Sequence, residues 1–329
     1  MFTYLAVSLL LLAGAAALFL YWCWLGREPR DFSSISIFTG RDPLSLAPHP
    51  DIGDRAVLSA ADVTDTRARF VADPFLWRSA TGWHMFFEVY DEPLRRGVIA
   101  HATSGDGLAW QYDCVVLEEP FHLSYPHVFE HDGQFYMTPE SGDFGEVRLY
   151  RADLFPDEWV LDTVLLKGRY YDPTLLMQAG QWWMWVCDER SSPLLFTAAE
   201  LRGPWLPHSS NAQSRPDPHF GRPGGRVLRT EGGLLRFVQD GVPTYGSRLH
   251  ARAIQQLEPA VYAEAAAAES PVLAGAGSQW RATGMHHLDA WSTPGGWMAA
   301  VDGNHQRIVY NWRAGARVMQ RWLLGGSRQ

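Results

Sequence analysis

Asp73-Pro74-Phe75-Leu76-Trp77, a turn at Gly82, then Trp83-His84-Met85-Phe86-Phe87-Glu88: a short apolar strand, a glycine turn, and an aromatic-rich strand ending in an acid. The same text recurs four times. Pro126-His127-Val128-Phe129 turns at Asp132-Gly133 and ends Phe135-Tyr136-Met137-Thr138-Pro139-Glu140. Asp172-Pro173-Thr174-Leu175-Leu176 turns at Gly180 and runs from Trp182 to Asp188. Arg226-Val227-Leu228 turns at Gly232-Gly233 and runs from Leu234 to Asp240. His286-His287-Leu288-Asp289-Ala290-Trp291 turns at Gly295-Gly296 and runs from Trp297 to Asp302. From Asp73 to His127 is 54 residues, to Asp172 a further 45, to Arg226 a further 54, and to His287 a further 61. A strand–turn–strand repeat near this period is the mark of a β-propeller, and five copies predict an all-β, five-bladed one. Gly97–Ala102, Val147–Tyr150 and Leu194–Ala198 supply a third strand in their copies.

Between two of these strands, Ser104-Gly105-Asp106-Gly107-Leu108-Ala109-Trp110 resembles an Asp-box hairpin turn, with Asp-Gly for the turn and Trp packed beneath, a structural element. Residues 208–225 are proline-rich and polar and are expected to loop over one face. Ala263–Glu269, rich in Ala and Glu, reads as a short rim helix or a connector.

The apolar fraction, 47% with 15 Trp among 329 residues, supports a large core with rings left over for a binding surface. A net charge of −8 without a basic stripe argues against nucleic acid as a partner. Cys23, Cys114 and Cys187 show no metal-type spacing, and the last two read as buried thiols.

From Phe2 to Leu25 no residue is charged, long enough to span a bilayer, with Tyr21, Trp22 and Trp24 as an interfacial belt. A cleaved signal peptide would want a basic start and a shorter apolar core. The expected organisation is a single-pass transmembrane anchor over 1–25, a linker and lead-in strand over 26–70 (Ser34–Phe38 alternates), and the propeller over 71–329. Arg27 and Arg30 follow the span, which leans the body toward the cytoplasm.

In a propeller the first strand of each blade lines the channel and the second returns antiparallel. Strand-one starts and strand-two ends therefore share one mouth. That places Asp73, His127, Asp172, Arg226 and His286/His287 with Glu88, Glu140, Asp188, Asp240 and Asp302. Arg222 and Arg226 flank Pro223-Gly224-Gly225, where backbone can approach a ligand closely. Any one of these acids could simply be solvated or cap a turn. Carboxylates crowded in a channel push their pKa values apart, as a general acid and base require.

Val71-Ala72-Asp73-Pro74-Phe75-Leu76, Phe86-Phe87-Glu88, the run from His122-Leu123-Ser124-Tyr125-Pro126-His127 to Glu130, Tyr136–Ser141 and Leu149–Ala152 resemble the N-terminal domain of glucosamine inositolphosphorylceramide transferases, over about residues 37–246. The plant enzymes carry a separate glycosyltransferase domain after this one. It is expected to be absent here, so the transferase activity is not carried over. More distantly the pattern is similar to the five-bladed arabinanases, xylosidases, invertases and levansucrases. That resemblance implies a base or nucleophile at Asp73, a supporting Asp172, and an acid at Glu140 with Glu88 in reserve. It makes His286 or His287 the match for a channel histidine that helps hold a central ion in some members. No cofactor is required and no metal ligand is assigned, but the resemblance leaves room for a channel calcium ion. Blade two departs from it, opening with His127 where the glycosidases have Asp.

Glu88, His127, Arg222, Arg226, Asp188, Asp240, His286 and His287 are then the candidate substrate-binding residues. Three functions compete: a hydrolase or transglycosidase acting on a glycan or glycolipid by paired carboxylates; a non-catalytic glycan- or glycolipid-binding module serving a partner glycosyltransferase; and a sugar-modifying transferase. No phosphate-binding Gly-rich loop supports the last.

Overall fold

The structure, a computed structural model, describes residues 2–277 and 280–311, without the side chains of residues 2–10, 23 and 25. The last part of the expected propeller segment, 312–329, lies outside the described residues. The chain divides into two compact units: Met1–Asp31 with Gln306–Gln329, and Phe32–His305. In the first, an α-helix occupies Phe2–Leu25. Among the residues whose side chains are described, no helix is long and apolar enough to cross a membrane.

The second unit is a mainly-β five-bladed propeller. Blade one is the meander Ala68–Arg78, Trp83–Asp91, Arg96–Ser104 and Gln111–Leu117. Blade two is Ser124–His131, Gln134–Glu140, Glu146–Leu154 and Glu158–Lys167, and blade three Tyr171–Gln178, Gln181–Cys187, Pro193–Ala198 and Leu206–Pro207. In blade four the inner strand is split into Arg222–Pro223 and Leu228–Thr230, both paired to Gly233–Asp240, followed by Arg248–Glu258 and Val261–Ala266. Blade five joins Leu288–Thr293 and Gly296–Tyr310 to the N-terminal strands Arg27–Gly40 and Ala47–Pro48. The lead-in Ser34–Phe38 is thus the third strand of the last blade and closes the ring.

Aromatic density in the second strands follows from the stacking of blades. A strand covered on both faces reads as a continuous apolar run rather than an alternating one. In blade one, Met85 and Phe87 face blade five and pack with Ile35, Ile37, Met298 and Ala300, while Phe86 faces blade two and meets Val128, Met137 and Tyr150. Similar seams join blades two and three around Tyr136 and Met184, three and four around Trp183 and Val227, and four and five around Phe237 and Leu288.

The Asp106 turn forms as read: Asp106 Oδ1 accepts from the Leu108 and Ala109 amides at 2.8 and 2.9 Å, and Trp110 Nε1 donates to Gly107 O. Ala263–Glu269 does not form the expected helix, because residues 261–266 are an edge strand paired to Arg248–Glu258. Glu264 is drawn into that sheet by Arg236, a fully buried guanidinium that donates to it at 2.9 and 2.7 Å. Leaving that charge unpaired would cost more than the helical preference of alanine provides. Cys187 is buried, but Cys114 is only half-buried; both are free thiols.

Ile35 and Ile37 are fully buried in the closing strand. Ile37→Ala is expected to cost about 2–5 kcal/mol of unfolding free energy in urea. A loss below about 0.5 kcal/mol, the size of a surface change, would show that the strand does not close the ring.

Candidate active site

Three inner strands share the same backbone event. Asp73, Tyr125 and Asp172 hold φ of 53°, 47° and 53°, each directly before a proline, and in each blade the strand register shifts there. Non-glycine residues avoid this left-handed region. The shift sets two inner-strand residues against one on the partner strand, a bulge of the kind that re-aims a side chain.

Asp73 is 6% exposed. Its amide donates to Asp302 Oδ2 at 3.1 Å, and its Oδ1 lies 3.4 Å from His286 Nε2 and 3.8 Å from His287 Nδ1. His286 Nδ1 reaches Asp302 Oδ1 at 3.0 Å, so the imidazole bridges two carboxylates. Burial opposes its charge, but Asp302 and Asp73 outweigh burial and lift its pKa to about 10. Burial would likewise raise Asp73, but the hydrogen bond and charge of His286 bring it down to about 2. Asp73 is therefore an ionised carboxylate at all ordinary pH.

Asp172 is 1% exposed and fully engaged. Arg222 grips it bidentately at 2.5 and 3.0 Å, and Gln239 Nε2 donates to it at 2.7 Å. Burial pushes its carboxyl up and the Arg222 fork works against that push. The guanidinium of Arg222 lies 5.5 Å from the Tyr171 ring centroid and 5.2 Å from that of Tyr245, whose ring also sits 5.3 Å from His286.

Glu140 receives the Gly142 amide at 2.6 Å and the Ser124 hydroxyl at 3.1 Å. Burial, then the charge of Asp172, raise it to about 7. Burial, then the charges of Asp73 and Glu140, raise Glu88 well above the ordinary carboxylate value. Its Oε1 has His122 Nε2 at 3.5 Å and no hydrogen bond. One mouth of the channel therefore holds Asp73, Glu88, Glu140, Asp172, Arg222, His286 and His287. Among them are one exceptionally acidic carboxyl, Asp73, and two raised by burial, Glu88 and Glu140.

Four expected members lie elsewhere. His127 is two residues past the corner, in the phase of Phe75 and Thr174; the counterpart of Asp73 in blade two is Tyr125. Blade two therefore departs from the Asp pattern with a tyrosine, whose hydroxyl meets Thr174 Oγ1 and accepts from the Gly225 amide, both at 2.7 Å. Arg226 is deeper in the channel, donating to Asp289 at 2.8 and 3.3 Å. Asp188 is one residue beyond the shared phase, which Cys187 fills opposite Tyr171, and it caps a turn through the Arg190 and Ser192 amides. Asp240 is bound by His219 and His250 at 3.0 and 3.3 Å. Counting acids from strand ends missed the one-residue offset in blades three and four. It also missed Tyr125, although Tyr125-Pro126 repeats the X-Pro signal of Asp73-Pro74, and Tyr171 and Tyr245, which no repeat position marks.

Ligand atoms of Asp73, His286 and Asp302 lie within 4.8 Å of one another. They do not fit calcium, which takes six to eight oxygens, whereas this group offers two carboxylates and an imidazole nitrogen.

The chain matches the family model described as "Glucosamine inositolphosphorylceramide transferase 1, N-terminal" over residues 30–304. It is 34% identical over 295 residues to glucosamine inositolphosphorylceramide transferase 1 of Oryza sativa subsp. japonica, covering 82% of this chain and 40% of that protein. To the Arabidopsis thaliana protein of the same name it is 31% identical over 303 residues, covering 84% and 40%. The chain thus spans less than half the length of these relatives. Among solved structures, a glycosyl hydrolase from Bacteroides ovatus superposes with a TM-score of 0.54 at 12% identity, over 73% of this chain and 86% of that one. A member of a family of mannoside phosphorylases that contains glycoside hydrolases superposes with a TM-score of 0.51 at 11% identity, over 70% and 83%. At this identity the likeness is one of fold.

Glu140 should titrate near pH 7 in the folded protein, against about 4.3 unfolded. Its raised pKa makes folding bind a proton, so stability contributed by this group falls as pH rises from about 4.3 through 7. Glu140→Gln should remove that slope and stabilise the protein at pH 8 relative to wild type. Parallel stability–pH curves for the two proteins would contradict the assignment.

Proposed function

The chain belongs to the glucosamine inositolphosphorylceramide transferase N-terminal domain family, and we propose that its channel mouth is a carbohydrate-active site working on a glycosidic bond of a glycan or glycolipid. The observation that carries this reading is the division of carboxyl groups: Asp73 held ionised at about 2, Glu140 held protonated up to about 7, around one mouth. Environments that push two carboxyls apart in this way assign acid and base roles. A carboxylate as acidic as Asp73 is a weak base. It suits attack on an anomeric carbon, or stabilisation of an oxocarbenium ion, better than deprotonation of water. Glu140 would give its proton to the departing oxygen. Asp172, spent on Arg222, positions that guanidinium and the Tyr171 and Tyr245 rings around a sugar. The plant relatives are named for a ceramide-bearing acceptor, and a glycolipid is the substrate class this reading favours.

A second reading has its own support. Both Asp73 and Asp172 are engaged in ion pairs, as in a site that holds a sugar without cleaving it and presents it to a glycosyltransferase. Turnover separates the two. With glycans and glycolipids as substrates, Asp73→Asn and Glu140→Gln should each lower turnover by roughly a hundredfold or more while binding persists. The rate should fall as pH rises through about 7, where Glu140 loses its proton. Binding without turnover in the wild-type protein would leave the binding module as the function.

We also propose that the helix Phe2–Leu25 anchors the protein in a bilayer, with the body on the cytoplasmic side. Its sequence is free of charge, and Leu11, Leu12, Leu18, Phe19 and Leu20 are all exposed. Apolar side chains all round a helix suit lipid better than a protein surface. Full-length protein is expected in the carbonate-resistant membrane fraction, and protein lacking residues 1–25 in the soluble fraction. Full-length chain in the soluble fraction would rule the anchor out, and protease accessibility from the other face would reverse its orientation.

A further inference from the structure

We propose that the opposite end of the channel is a second binding site, which takes one neutral sugar ring against tryptophan walls with His127 as a donor at its floor. From Asp73 to Trp77 the inner strand of blade one rises roughly 13 Å at about 3.3 Å per residue. Where the inner strands end, a cavity of about 460 Å³ opens, walled by Trp77, Trp182, Trp291 and Trp297, with His127 among its lining residues. This is the size range of small-molecule sites. It lies at the other end from Asp73 and shares none of the residues proposed for catalysis, so the two proposals stand or fall separately.

The hydrogen bonding of the cavity specifies its ligand. His127 is 1% exposed, and its Nδ1 accepts the Leu175 amide at 3.2 Å. That fixes the proton on Nε2, which has no described partner. An unpaired donor costs about 1–3 kcal/mol until an acceptor arrives, so an aliphatic chain that filled the cavity would leave Nε2 stranded. An anionic ligand fits no better, and the lining carboxylate Glu130 is exposed to solvent. Arg226 is neutralised by Asp289, and Arg229 is held at the rim by the Met177 carbonyl and Gln178. What remains is a neutral molecule with an apolar face for indole rings and oxygen acceptors at its edge. A pyranose has both.

The test uses the full-length chain in phosphatidylcholine nanodiscs, titrated with methyl β-D-glucopyranoside, methyl β-D-galactopyranoside and methyl β-D-mannopyranoside, with 1,2-hexanediol as the aliphatic control. Tryptophan fluorescence and saturation-transfer NMR report binding. At least one glycoside should bind saturably and more tightly than the diol. Its affinity should fall about tenfold or more in His127→Phe, a shape that Phe75 shows is accommodated at this phase, and in Trp291→Ala, which takes away one indole wall. It should be unchanged in Arg190→Ala, an exposed side chain outside the cavity lining. The proposal is overturned by the absence of saturable binding for all three glycosides, by tighter binding of the diol, by full affinity in both channel variants, or by an equal loss of binding in Arg190→Ala.

Discussion

The left-handed corner within the inner strands is the constraint on which the channel depends. Asp73, Tyr125 and Asp172 each occupy a backbone region that costs of order 1–3 kcal/mol for a non-glycine residue. Each is followed by proline, which brings no amide to be left unpaired and disfavours the helical region for the residue before it. The cost is offset by what the corner side chain reaches. Asp73 meets His286, Asp172 takes Arg222 and Gln239, and Tyr125 joins Thr174 of blade three to the Gly225 amide of blade four. An inner strand continued in regular register would aim these groups at a neighbouring blade. The corner therefore carries both the interblade polar bonds and the chemistry of the mouth.

Charge inside the channel is arranged in short closed groups rather than as a field. Asp73, His286 and Asp302 form one, Asp172 with Arg222 another, and Asp289 with Arg226 a third. The two arginine pairs are neutral and the first group keeps a single negative charge, in a low-dielectric interior where an isolated ion would be costly. Glu88 and Glu140 are paired with no arginine among the described residues, and burial raises both carboxyls instead. The same economy that makes a buried channel tolerable thus produces carboxyls in different protonation states a few residues apart in the repeat.

The number of blades was legible because the blades stack. Burial on both faces writes long aromatic runs such as Trp182–Cys187 that stand out against the turns. Closure was less legible, because Ser34–Phe38 lies far in sequence from the strand it joins. At the site, Asp73, Glu140 and Asp172 could be read from X-Pro and strand-end positions. His127, Asp188 and Asp240 could not, since one bulge or one offset residue moves a side chain from the mouth to mid-channel or to a turn, and periodicity counted in tens of residues does not resolve a single position. The strand Val261–Ala266 shows the opposite failure: local alanine content pointed to helix, and a distant buried arginine decided otherwise.

Sealing the last blade with the first strand also sets a timetable for the growing chain. Ile35, Ile37 and Phe38 leave the ribosome early, but their partners in residues 296–305 are added only after four complete blades. At roughly 5–20 residues per second, an apolar strand with an open hydrogen-bonding edge must wait for tens of seconds. Ring closure is then a single late event, spanning nearly the whole chain and slow for its contact order. In that interval the cell has to keep this strand from finding another chain's edge.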